Sequence, residues 1–215
     1  MKTDDLINML ASGPDVRAPA PALPMRRIVM IISCGLLVST AMMMAFLGIR
    51  PDLAEVTTLP AFWLKIAFVV ALAWAGRIAT ARLSSPGART GLLPVLIAAP
   101  VLLIWIVALI SLMNAAPDDR AQLFWGSTWR VCSFLIAALS LPIFAAILKV
   151  MRGLAPTRLR LAGAAAGFAA GAAAAVVYCL HCPEIEAPFI GFWYLLGILI
   201  PAGIGALIGP RVLRW

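Results

Sequence analysis

A chain of 215 residues in which 63% are hydrophobic and only 12% charged is far from the composition of a water-soluble domain, where about a quarter of the residues are charged. Its net charge of +8 would suggest nucleic acid in a soluble protein. Membrane proteins, however, collect Lys and Arg in short cytoplasmic loops for topological reasons, so a lipid bilayer is the expected partner and nucleic acid is not.

The polar segment 1–27 comes first. Residues 1–13, MKTDDLINMLASG, predict a short helix whose amphipathic part covers 3–12. Thr3 suits the N-cap, and Asp4 and Asp5 suit the positive end of the helix dipole. Leu6, Ile7, Met9 and Leu10 form an apolar side at helical spacing, and Gly13-Pro14 ends the helix. A helix of this length is marginal alone in water, so it is expected to fold against a partner. Its acidic first turn disfavours the anionic inner leaflet and favours a protein. Pro14, Pro19, Pro21 and Pro24 make 14–24 a semi-rigid tether. No cleavable signal peptide is evident, since the first apolar run starts at Ile28 and is long enough to span.

Six apolar runs fill the region 28–215, at about 28–48, 62–82, 91–113, 130–149, 160–180 and 188–209. Backbone groups in lipid must satisfy one another, so these runs are expected to be helices. They are continuously apolar rather than alternating, which excludes a β-barrel. The predicted fold class is therefore all-α: a polytopic bundle of six transmembrane helices with a short amphipathic N-terminal segment.

With the N-terminus inside, 13 of the 17 basic residues fall on the cytoplasmic side and four (Arg50, Lys65, Arg120, Arg130) on the other, as the positive-inside rule requires. This predicts a bacterial inner-membrane protein with both termini cytoplasmic. Six acidic residues (Asp52, Glu55, Asp118, Asp119, Glu184, Glu186) then lie outside. The basic loops at 83–90 and 150–159 are expected to set topology, and Trp63, Trp125, Trp129 and Trp193 to anchor the outer boundary. Lys65 and Arg77, near opposite ends of the second run, are expected to snorkel.

Gly163, Gly167 and Gly171 recur every four residues in the fifth run, and Gly205 and Gly209 repeat the pattern in the sixth. Such stripes permit close helix approach, either within the bundle or at the interface of a homo-oligomer. Transporters keep ionisable groups near the midplane. None is expected there, which counts against a permease. Phosphate loop, zinc-protease motif and nucleophile elbow are all missing, so neither an enzyme nor a cofactor is expected.

Cys34, early in the first run, reads as a small buried apolar residue. The other three thiols converge on the outer face, Cys132 at the end of the fourth run and Cys179 and Cys182 in YCLHCPE at the end of the fifth. Thiols there can form a structural disulfide, sense an oxidant or bind a soft metal. Cys179, His181, Cys182 and Glu184 can act as auxiliary thiol or metal ligands, although no metal is required. The C-x-x-C spacing also fits a periplasm-facing membrane thiol-disulfide oxidoreductase.

The start MKTDDLINMLA, the segment around Trp129-Arg130-Val131-Cys132, the LHCPE run and the ending PFIGFWYLLGILIPAGIGALIGPRVLRW together resemble the NrsF-like membrane anti-sigma factors. The resemblance covers nearly the whole chain. It implies a six-span negative regulator that holds a cytoplasmic extracytoplasmic-function sigma factor at the membrane and releases it under heavy-metal or oxidative stress. It also implies that two periplasmic cysteines carry the response, and these match Cys132 and Cys182. A metal site there would draw on Cys132, Cys182 and His181. Asp4, Asp5, Leu6, Ile7, Met9 and Leu10 would bind the sigma factor. Trp193-Tyr194 stands where the family is expected to have Trp-His, and Cys179 is an additional thiol.

Overall fold

The computed structural model describes residues 3–11, 24–85, 91–154 and 156–214. Most of the tether at 14–24 and the loop residues 86–90 lie outside that set, as do the side chains of Leu6 and Leu10. Among the described residues there is no strand.

The chain opens with α1 (Thr3–Ala11), in which Asp4 and Asp5 occupy the first turn. Thr3 is its first residue rather than the residue before it. Ile7 and Met9 are exposed. The first spanning helix is α2 (Met25–Phe46), followed by the short α3 (Leu53–Val56) and then α4 (Pro60–Leu83). Next come α5 (Leu93–Asn114), a two-turn α6 (Asp119–Trp125) and α7 (Trp129–Arg152). The last two spans are α8 (Leu159–Tyr178) and a continuous helix made of α9 (Ala187–Phe189), a π-helical turn Ile190–Tyr194 and α10 (Leu195–Val212). Six helices are thus long and apolar enough to cross a membrane.

Helix α8 forms the centre of the bundle. Fourteen of its residues are buried, nearly all Ala or Gly, and it packs closely on α10, α4 and α7. The reason is geometric. A Cβ added at Gly163 would overlap the carbonyl oxygen of Gly205, and one at Gly167 would overlap that of Pro201. At Gly171 it would lie 2.9 Å from the Ile198 Cα. Gly205 and Gly209 meet Gly163 and Leu159 from the other side. All five glycines line one seam between α8 and α10, which is the close approach that small residues permit in lipid. Within this seam the stripe is filled by α10 and leaves no glycine face for a second copy.

Helices α2 and α5 lie at the periphery. Their outward residues, among them Leu37, Phe46, Leu102, Leu103, Leu109 and Met113, are exposed, as lipid-facing side chains should be. Cys34 is exposed as well, which corrects its assignment as a buried apolar residue. It lies on the outer side of α2, whereas Gly35, Ser39 and Met43 carry the buried side. Ser39 there donates to the Leu139 carbonyl at 2.8 Å, joining α2 to α7.

The tryptophans also depart from a simple belt. Trp63 is exposed and its indole donates to the Thr57 carbonyl at 2.8 Å. Trp125, Trp129 and Trp193 instead pack together, with centroids 4.7–5.5 Å apart. Trp193 is buried and donates to the Phe124 carbonyl at 3.0 Å. The π turn that presents it is wider than an α turn and weakens local backbone bonding. Two side chains supply donors there: Trp105 Nε1–H to the Gly191 carbonyl at 3.0 Å and Ser133 Oγ–H to the Trp193 carbonyl at 2.8 Å.

Candidate functional site

At the end of the bundle where the α2–α3, α6–α7 and α8–α9 connections meet, the turn 179–186 folds inward. Tyr178 closes α8, and its carbonyl accepts from the amides of His181 and Cys182, both at 3.0 Å. This turn carries Cys182 back toward the first turn of α7, where Cys132 lies. Cys132, Cys179 and Cys182 are all fully buried, and none is joined in a disulfide. The Cys132 thiol lies close enough to Cys182 to act on it electrostatically, and Thr128 Oγ1 lies 4.0 Å from the Cys182 sulfur. Two thiols far apart in sequence are therefore adjacent.

Two cations hold this turn. Arg50 grips the Asp52 carboxylate through Nε and Nη2, each at 2.7 Å. Its Nη1 donates to the carbonyls of Cys182 at 3.2 Å and Pro183 at 3.4 Å. The Arg50 amide also donates to the Leu180 carbonyl at 3.1 Å. Asp52 holds the guanidinium pKa up, and in return its own carboxyl is held below the usual carboxylate range.

Lys65 reaches the same turn from α4. It has no solvent exposure. Its ammonium donates to the carbonyls of Cys182 at 3.1 Å and Glu184 at 2.8 Å and sits 4.9 Å above the Tyr194 ring. Snorkelling was the expectation for this side chain; instead it turns into the bundle. A buried charge is tolerated only with partners of this kind. The hydroxyls of Tyr178 and Tyr194 are buried beside the thiols with no hydrogen-bond partner among the described residues.

His181 and Glu184 of the turn have structural partners. His181 Nδ1 lies 3.0 Å from the Gly48 carbonyl, so that nitrogen carries the proton. Glu184 Oε1 accepts from the amide and hydroxyl of Ser127, both at 2.7 Å. Gly126 has φ +54°, and a Cβ there would lie 2.8 Å from the Glu184 carboxyl. Among the described residues no three His, Cys, Asp or Glu side chains gather into a metal-binding group. His181 thus turns to Gly48 and is not assembled with Cys132 and Cys182 in this conformation.

The two thiols of the turn differ in acidity. The Cys132 S–H holds the Cys182 thiol below the ordinary thiol range, and the Lys65 ammonium adds to that against burial. Burial pushes the Cys179 thiol up to about 11. The thiolate is the nucleophile, so at pH 7 iodoacetamide should modify Cys182 faster than Cys179, as read by mass spectrometry. Cys132→Ala removes the S–H donor and should move the pH midpoint of Cys182 labelling upward. An unchanged midpoint would show that the contact does not tune Cys182.

Sequence reasoning missed Arg50, Lys65, Thr128, Tyr178 and Tyr194 as parts of this site. The available signals were a lysine within the first turns of an apolar run and a tyrosine directly before Cys179. The predicted sigma-binding residues lie elsewhere, on α1, and the structure brings none of them to the cysteines.

A family model described as "Negative regulator of sigma F" matches residues 13–215. The chain is 53% identical over 216 residues to the probable anti-sigma-F factor NrsF of Azospira oryzae, with all of both chains covered. It is 40% identical over 217 residues to the anti-sigma-F factor NrsF of Caulobacter vibrioides, again with both chains fully covered. No solved structure matches. With a family model matching residues 13–215 and two relatives similar over their full length, the chain belongs to the family of negative regulators of sigma F.

Proposed function

We propose that this protein is an inner-membrane anti-sigma factor with both termini in the cytoplasm, and that α1 sequesters an extracytoplasmic-function sigma factor there. Ile7 and Met9 with Leu6 and Leu10 supply anchors at the spacing of helix-in-groove docking, and Asp4 and Asp5 meet basic residues of the partner. The Cys132–Cys182 pair, on the periplasmic side, senses heavy metal or oxidant and weakens docking. The proximity of these two buried thiols carries this reading, because it brings the start of α7 to the turn after α8. Metal binding would release thiol protons. Disulfide formation would pass two electrons and two protons to the oxidant and leave one S–S bond. A switch from 1:99 to 99:1 needs about 5.5 kcal/mol of difference between the two states.

Full burial of Cys179 and Cys182 counts against turnover with an external dithiol, whereas a small ion or oxidant needs only a brief opening of the turn. Pull-down from membranes of the full chain and of a chain lacking residues 1–13 tests the proposal. Each anchor of such a helix contributes about 2 kcal/mol or more. Recovery of a sigma factor should therefore fall by at least ~10-fold without the segment. Equal recovery from both would place the docking surface elsewhere, and no sigma factor from either would remove the anti-sigma reading.

A further inference from the structure

Lys65 has a place in the cysteine site that packing alone does not require. Its ammonium is completely buried and holds two backbone carbonyls, Cys182 and Glu184, on either side of Pro183. The Cys182 carbonyl has a second cationic donor in Arg50. The Glu184 carbonyl is held by Lys65 at 2.8 Å. Lys65 belongs to α4, whose distant half lies against α8 so tightly that a Cβ on Gly76 would be 2.7 Å from the Ala169 Cα. A single side chain therefore ties the thiol-bearing turn to a helix that runs to the other end of the bundle.

We propose that Lys65 is the positioning residue that couples the Cys132–Cys182 pair to the opposite membrane face: it pins the 182–184 turn to α4, and changes at the pair act by drawing the turn off that pin. The inference rests on the sensing role proposed above. A disulfide places its sulfurs about 2.05 Å apart, well inside the contact distance of two unbonded sulfurs. Where Cys182 closes that gap by moving toward α7, the carbonyl that Lys65 and Arg50 hold moves with it. A metal shared by the two sulfurs pulls on the same carbonyl. The coupling is thus geometric and needs no change in the charge of Lys65.

The test uses the full chain in lipid nanodiscs and in cells. Loss of a hydrogen bond from a charged donor should open the turn about ten- to a hundredfold more often. In Lys65→Met, hydrogen exchange at the His181 and Cys182 amides should speed up by that factor while α8 stays protected. A sigma-dependent reporter should rise without inducer, and Lys65→Arg should restore both readings. Should Lys65→Met fail to reach the membrane, Lys65→Gln, whose side chain is polar but too short to reach both carbonyls as the lysine does, carries the same expectations. Unchanged exchange would overturn the proposal. So would faster exchange with a silent, still inducible reporter, because Lys65 would then only brace the turn. A reporter that also ignores removal of residues 1–13 would strike the docking role proposed for α1. The coupling would then be judged by exchange at the α4 amides on Cys132–Cys182 oxidation: faster in the parent and unchanged in Lys65→Met if it holds, alike in both if it does not.

Discussion

Gly167→Val should remove the protein from the membrane fraction, or lower its unfolding temperature in detergent more than any single truncation on the lipid-facing side. The new Cβ would overlap the Pro201 carbonyl oxygen and lie 2.8 Å from the Ala202 Cα. Both obstacles are backbone, so no rotamer change makes room and α10 must separate from α8. Ordinary overpacking costs about 1–3 kcal/mol. Here the separation would also open the contacts of Gly163 with Gly205 and of Gly209 with Leu159, so the loss should exceed that range. Gly203 is the control. A Cβ there meets nothing within 4 Å, and Gly203→Ala should be neutral or stabilising by up to ~1 kcal/mol through helix propensity. A Gly167→Val protein that accumulates and melts like its parent would disprove the seam.

The features legible in the sequence are those that one helix specifies by itself. Run length and the need to satisfy backbone groups in lipid place six helices, and glycines four apart mark a face that can approach closely. What such patterns leave open is which helix fills the face and which way a side chain turns. Cys34 shows the limit: the same apolar run contains both the Gly35–Ser39–Met43 side that meets α7 and the side that meets lipid, and composition is alike on both. Lys65 shows it more sharply. A lysine near a helix end can snorkel or turn inward, and inward becomes favourable only because the 179–186 turn offers two carbonyls and Tyr194 a ring face. Those partners lie more than a hundred residues away. The π turn at Ile190–Tyr194 likewise depends on donors from Trp105 and Ser133 on two other helices. The Cys132–Cys182 contact was implied by family resemblance, and local spacing favoured Cys179 with Cys182 equally.

Under the proposed function, Cys132→Ser and Cys182→Ser should each abolish induction of the sigma-dependent reporter while leaving basal sequestration intact, and the double variant should behave like either single one. The physical ground is that one sulfur can take a ligand but cannot bridge α7 to the 179–186 turn. A modification that interacts equally with both conformations shifts nothing, however tightly it binds. Loss of either thiol should therefore reduce coupling to zero rather than by half. Cys34→Ser should respond like the parent, because Cys34 faces away from the bundle. Cys179→Ser separates two forms of the mechanism. Its thiol is buried in the same region, beside Lys65 and Tyr194, yet it is Cys132 that acts most strongly on Cys182. Retained induction in Cys179→Ser, with loss in the other two, would assign the response to the Cys132–Cys182 bridge. Loss in Cys179→Ser with retention in Cys132→Ser would move the sensor to the C-x-x-C pair, and the connection to α7 would no longer explain the signal.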